Sequence, residues 1–259
     1  MSFTLVAVFL AIALFAGMLV CFEVGRRIGV RRLATDAEGL TKGAGAAEGA
    51  VFALLGLLLA FTFSGAASRF EDRKWFINSE ANAIGTAYLR IDLLPEEAQA
   101  PLRDLFRQYV DIRASVYQNA QRPDDVIAGL ARGTALQNEI WKQSMAALRL
   151  PGASSQATML MTPALNEMID ITATRQMATR NHPPNVIFLL LAVLALIGAL
   201  LVGYGTSANK DRNWFHHMVF ALAISLSIYV IVDLEYPRLG LIKVDSADQA
   251  LLDVGASMR

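Results

Sequence analysis

The sequence predicts an all-α membrane protein: four transmembrane helices, with a helical soluble domain inserted between the second and third spans. Three observations predict it. Four apolar runs without Asp, Glu, Lys or Arg are each long enough to cross a hydrocarbon layer of about 30 Å as a helix. The 259-residue chain is 54% hydrophobic and only 18% charged, with a mean hydropathy of +0.41. The long polar segment between the second and third runs is rich in Ala, Leu, Arg, Glu and Gln, and shows no β-branched alternation. The expected division is residues 1–68 for the first two spans and their basic connection, 69–182 for the soluble domain, 183–236 for a transmembrane hairpin and 237–259 for a tail.

The first span is Phe3 to Phe22. Only Met-Ser precedes it, and Glu23, Arg26, Arg27, Arg31 and Arg32 follow it. A cleavable signal has its basic cluster in front, so this reads as a retained helix. The connection at 24–49 ends in TKGAGAAEGA, read as a flexible approach to the second span. Its glycines Gly43, Gly45 and Gly49 lack the preceding strand and the Gly-Lys-Ser/Thr of a phosphate loop.

The second span, Ala50 to Ser68, carries the most informative pattern. Gly56, Ala60, Ser64 and Ser68 recur every four residues and make a narrow ridge that lets another helix approach closely, with Gly56 and Ala60 the packing positions. Beside it run Leu57, Phe61 and Gly65. A small-residue ridge next to a bulky stripe suits a ring of like subunits around a constriction, and suits an ordinary bundle as well. Arg69, Glu71, Asp72, Arg73 and Lys74 follow without Gly or Pro, so the helix is expected to continue beyond the membrane.

In the soluble segment Leu102, Leu105, Phe106, Tyr109, Ile112 and Val116 follow helical spacing on one face. Gln121-Arg122-Pro123-Asp124-Asp125 breaks that helix, and Asp124 or Asp125 can cap the next, whose apolar side is Leu136, Ile140, Trp141 and Leu148. Pro151-Gly152 with Ser154 and Ser155 reads as a loop. A further helix carries Met161, Leu165, Met168, Ile169 and Thr172. Each stripe reads as core or subunit packing.

Asn181-His182-Pro183-Pro184-Asn185 ends the segment and opens the third span, Val186 to Tyr204. A turn at 205–213 leads to the fourth, Trp214 to about Val232, with Tyr204 and Trp214 at interfacial positions. Pro237 breaks the tail, leaving Asp233 and Glu235 at the membrane edge as a solvated helix end or as a cation or gating site. Basic residues do not settle orientation: Arg26, Arg27, Arg31, Arg32, Lys42, Lys210 and Arg212 on one side match Arg69, Arg73, Lys74, Arg175, Arg180, Arg238 and Lys243 on the other.

Lys+Arg and Asp+Glu balance at 23 each, which gives no reason to expect a nucleic-acid partner. The lone Cys21 reads as a small buried hydrophobe. His216 and His217 are adjacent, about 100° apart on a helix, and do not form a metal pair. No cofactor motif, metal site or catalytic constellation appears, which points away from an enzyme.

LGLLLAFTFSGAASRFEDRK with its helical continuation resembles the pore helix of bestrophins, and LEYPRLG followed by Asp245 and Asp248 resembles the bacterial bestrophin tail. Over nearly its full length the chain is similar to bacterial bestrophin-like proteins of unknown function, which share EANAIGTAYLR and LEYPRLG. The resemblance implies a pentamer of four-span subunits in the bacterial inner membrane, with a central anion pore lined by the second span. By position it places Leu57 and Phe61 in an apolar neck and Ser64 or Gly65 at the next turn. It also places the 69–182 segment inside. Gly65-Ala66-Ala67 stands where bestrophins have an Arg-Asn pair, and the tail has no acidic calcium clasp.

The expected function is therefore an oligomeric ion channel in the lipid bilayer, passing small inorganic ions, most readily anions. Leu57 and Phe61 gate by wetting and dewetting, and Arg69 and Arg73 below them raise the local anion concentration or pair with Glu71, Asp72 or headgroups. The other reading is a non-conducting membrane scaffold whose helical domain binds a protein partner.

Overall fold

The structure is a computed structural model that describes residues 3–34, 44–116, 123–208 and 214–259. Among these residues there are helices and no strand. Lys42 and Gly43 of the first connection, Gln121 and Arg122 of the expected break, and Lys210 and Arg212 of the hairpin turn lie outside the described residues. The chain divides into two compact units, one of residues 1–68 and 182–236, the other of residues 69–181 and 237–259.

The first unit contains α1 (Phe3–Leu33), the beginning of α2 (Ala44–Leu89), α6 (Asn185–Gly205) and α7 (Trp214–Glu235). Among the described residues, these are the four helices long and apolar enough to cross a membrane. The helices outrun the apolar windows. α1 continues past Phe22 to Leu33, where Glu23 receives a hydrogen bond from Arg27 one turn on, 2.8 Å away. α2 starts at Ala44, so Gly45 and Gly49 lie inside a helix and not in a flexible approach. The Ala-rich run AGAAEGA supplies the strongest helix former at enough positions to carry two glycines, each costing about 1 kcal/mol.

α1 packs along α6 and also meets α7. Its contact with α6 brings backbone against backbone at glycines, with Gly29 meeting the turn just past α6. A Cβ on Gly25 would run into the carbonyl of Leu200, one on Gly203 into the carbonyl of Phe22, and one on Gly29 into the hydroxyl of Ser207. Such closeness is the use of small residues between membrane helices. Around this seam Met18, Phe22, Leu191, Ala195 and Ala199 are buried together with Leu55 of α2 and Ala221 of α7. His217 stacks on Phe22 with ring centroids 4.4 Å apart.

The second unit takes the rest of α2, a 3-10 turn over Arg90–Leu93, and four further helices. These are α3 (Glu96–Val116), α4 (Pro123–Ala147), α5 (Ser155–Ala178) and α8 (Asp245–Ser257). Pro123 is the first residue of α4, where its missing N–H costs nothing, and Asp124 and Asp125 fall in the first turn rather than at the cap. Gly152 at φ 91° makes the turn before α5, and Ser154 caps α5 by accepting the Ala157 N–H at 3.0 Å. The core is built from the expected stripes, with Leu102, Phe106, Tyr109, Ile140, Met161, Leu165 and Met168 fully buried.

The tail is more than a tail. α8 packs on α3 and buries Ala247, Leu251 and Gly255. Behind it the Met258 carbonyl accepts from the Tyr88 hydroxyl at 3.2 Å and from the Arg107 Nε at 2.8 Å.

The α1–α6 seam yields a contrast between two glycines of the same unit. Gly25→Ala must push the backbones of α1 and α6 apart and is expected to cost about 1–3 kcal/mol, as overpacking does. Gly49→Ala meets nothing within 4 Å and is expected to be neutral, or stabilising by up to about 1 kcal/mol. Thermal unfolding of the two purified variants in one detergent checks this; equal unfolding temperatures would refute the close approach.

Candidate functional site

The membrane-spanning stretch of α2 has two distinct sides. Leu55 and Ala66 are buried, and Phe52 meets Phe220 of α7 edge-on with centroids 5.4 Å apart. The opposite side carries the residues singled out from the sequence and is open. Phe61 is 67% exposed and Leu57 53%, Gly56, Ala60 and Ser64 are exposed, and Gly65 is half-buried. A Cβ on Gly56 would meet nothing within 4 Å. The small-residue ridge and the Leu57–Phe61 stripe therefore share an uncovered face of the single chain.

The two arginines that follow differ. Arg69 is half-buried, whereas Arg73 is 7% exposed. The Arg73 guanidinium donates to the Ala178 carbonyl at 3.4 Å and the Asn181 carbonyl at 3.1 Å, at the end of α5. Its position one turn beyond Arg69 gave no sign of this partner, because the carbonyls lie more than a hundred residues away in sequence.

Asp233 and Glu235 do not form a solvated helix end: they are 1% and 0% exposed. The chain folds back on them at once, with the Tyr236 N–H donating to the Asp233 carbonyl at 3.2 Å. His182 lies over the same turn. Its Nδ1 is 3.6 Å from Glu235 Oε2, and its ring stacks on Tyr236 at 4.4 Å, which in turn meets Phe3 at 4.6 Å.

A second cluster, in the second unit, was not anticipated. Glu80 of α2 is fully buried. Its Oε1 accepts from Arg113 Nε of α3 at 2.5 Å, and its Oε2 from Arg175 Nη1 of α5 at 2.5 Å. Arg175 reaches on to Asp248 of α8 at 3.3 Å, and Asp248 receives both Nη atoms of Arg238, at 2.8 and 2.9 Å. Burial by itself pushes the Glu80 carboxyl up, but the charges and hydrogen bonds of Arg113 and Arg175 outweigh it and hold the group below the ordinary carboxylate value.

A chain of neutral groups extends from Glu80. Gln137 Nε2 donates to the Tyr109 hydroxyl at 2.7 Å and to Thr172 Oγ1 at 3.1 Å. Tyr109 and Thr172 share a hydrogen bond of 3.0 Å, and Thr172 Oγ1 is 3.4 Å from Glu80 Oε1. Burial pushes the Tyr109 hydroxyl up to about 12, so it keeps its proton. Among the described residues no group of His, Cys, Asp and Glu is arranged to hold a metal ion.

Glu80→Ala leaves two buried guanidiniums facing a void and is expected to cost about 3–5 kcal/mol. Because the folded carboxyl titrates below its free value of 4.5, its stabilisation is complete above that pH. It is lost as pH falls below about 4.5 through the lower folded value. Thermal melts of wild type and Glu80→Gln from pH 3 to 7 check the sign. The wild type is expected to lose stability toward the acid end more steeply than Glu80→Gln, and parallel profiles would refute the assignment.

Known proteins place this arrangement. A family model for the bestrophin-like domain matches residues 12–248. Solved structures of similar fold include two point variants of a bacterial bestrophin homolog from Klebsiella pneumoniae. One aligns at a TM-score of 0.64 and 13% identity, over 95% of this chain and 98% of that one. The other aligns at 0.65 and 14%, over 93% and 98%. A structure described only as a membrane protein aligns at 0.63 and 15%, over 94% and 98%. No curated protein matches the chain in sequence. With the family model spanning most of its length and four of its helices fit to cross a bilayer, the chain belongs to the bestrophin-like family of multi-pass membrane proteins.

Proposed function

We propose that the protein is an oligomeric ion channel of the bestrophin kind, with α2 of each copy lining a central pore in the bacterial inner membrane. In this reading residues 69–181 and the tail form a soluble helical domain, inserted between the second and third spans and facing the cytoplasm. The observation that carries the reading is the uncovered face of α2. A bulky apolar stripe and a close-packing ridge lie side by side on it, and the chain itself covers neither. Copies packed through Gly56 and Ala60 turn Leu57 and Phe61 into a ring, an apolar neck that passes ions when wetted. Ser64 and Gly65 follow it on the next turn. The sequence resemblance to bestrophins implies five copies.

The reading favours anions. No acidic side chain interrupts α2 between Ala50 and Phe70, and Arg69 follows the apolar run. Arg73, only 7% exposed, is the weaker candidate for an exit charge. Glu71 is engaged by Lys74 at 3.0 Å, which softens the acid beside Arg69. The burial of Asp233 and Glu235 favours a gating role over a solvated ion site.

Ion flux into liposomes carrying the purified protein, with chloride and potassium gradients imposed separately, tests the proposal. Phe61→Ala widens and wets the neck and is expected to raise flux severalfold, while Arg69→Gln lowers the preference for chloride over potassium. Wild type and Phe61→Ala that are both silent under each gradient, yet still oligomeric, would overturn the channel and favour a scaffold that binds a protein partner.

A further inference from the structure

The second unit holds an open cavity of about 270 Å³ between α3, α4 and α5. This is close to the lower end of small-molecule sites, about 300 Å³. Its walls are of two kinds. Ile127 and Leu130 of α4 supply an apolar side; Arg113, Thr134, Gln176 and Arg180 supply a polar one. No carboxylate is present among the described residues that line it.

The two guanidiniums are unequal. Arg113 already faces Glu80 at 2.5 Å, so its charge is largely balanced. Arg180 lies just past the end of α5 and is exposed. Its guanidinium has no hydrogen-bond or ion-pair partner among the described residues. One unbalanced cation, an amide and hydroxyl groups on one side of a cavity and branched aliphatic side chains on the other define an amphipathic site for a single negative charge.

We propose that this cavity binds a small organic monocarboxylate. Arg180 and Gln176 hold the carboxylate, and the aliphatic portion of the ligand lies on Ile127 and Leu130. A bare halide leaves the apolar wall and most of the volume unused. A phosphate or dicarboxylate brings two charges to one available guanidinium. A neutral alcohol leaves that guanidinium uncompensated.

The site is tested on the full-length protein in nanodiscs of zwitterionic lipid, titrated calorimetrically with hexanoate, with empty nanodiscs as the reference. Saturable binding of hexanoate, absent with hexanol and with chloride, is the expected result. Arg180→Gln is expected to weaken it about tenfold, the size of one charge-assisted hydrogen bond. Ala131→Trp, which fills the cavity from an exposed position on its wall, is expected to abolish it. Both side chains replaced are exposed, and both variants are expected to keep the wild-type unfolding temperature. The proposal is overturned if hexanoate shows no saturable binding, if hexanol binds as well as hexanoate, or if both variants bind as the wild type does. Binding is read without conduction, so a silent channel leaves this test intact, and an empty cavity leaves the channel reading intact.

Discussion

A buried carboxylate must be satisfied completely, and Glu80 can be satisfied only when three helices stand in register. Each of its oxygens takes a different guanidinium, one from α3 and one from α5, and Arg175 carries the chain of contacts to α8 through Asp248. Taking these charges out of water consumes most of what their attraction returns, so the net gain in stability is small. The effect is on uniqueness. A slip of α3 or α5 by one residue would turn Arg113 or Arg175 away and leave Glu80 buried with an unmatched charge, at a cost no alternative apolar packing repays. The aliphatic core made by Phe106, Ile140, Leu165 and Met168 tolerates such slips far better. The ion cluster supplies the register, and the apolar residues supply the bulk of the burial.

This cluster was the least legible feature of the sequence, and the reason is physical. Spans announce themselves by unbroken apolar length, so all four were visible, as were the helical stripes of the second unit. Their ends were legible only in part. The run Arg69–Lys74, free of Gly and Pro, announced that α2 continues past Ser68, as it does to Leu89. The glycine-bearing start of α2 and the charged end of α1 did not announce theirs, because hydropathy alone cannot say whether such a stretch stays helical. The partners of Glu80 lie 33 and 95 residues away, which no spacing rule reaches. A weaker signal was present. Arg113 falls four residues after Tyr109 and seven after Phe106, and Arg175 seven after Met168, so both sit on the buried stripes of their helices. A charge on an apolar stripe requires a buried partner of opposite sign. α8 offered a similar hint in Ala247, Leu251 and Gly255, one per turn, in a segment read only as a tail.

The acids at the end of α7 show the opposite error. Two carboxylates beside a proline look like a helix end in water. Here the residue after them, Tyr236, and the histidine opening the third-span segment form a stacked pair over that end. Sequence position at a helix terminus fixes where the backbone hydrogen bonding stops. Whether water reaches the terminus depends on what the chain lays across it, and aromatic rings laid across it came from Phe3 and His182, remote in sequence from Glu235.

The seam between α1 and α6 and the bare side of α2 have a joint consequence for how the chain matures in a cell. In water an uncovered face with Phe61 and Leu57 on it would drive aggregation; in lipid it costs almost nothing, because acyl chains solvate leucine and phenylalanine as well as protein does. The backbone-to-backbone seam at Gly25, Gly29 and Gly203, by contrast, is closed wholly within one chain. A single inserted chain therefore needs no partner to close the α1–α6 seam, and the bare side of α2 rests against acyl chains at little cost.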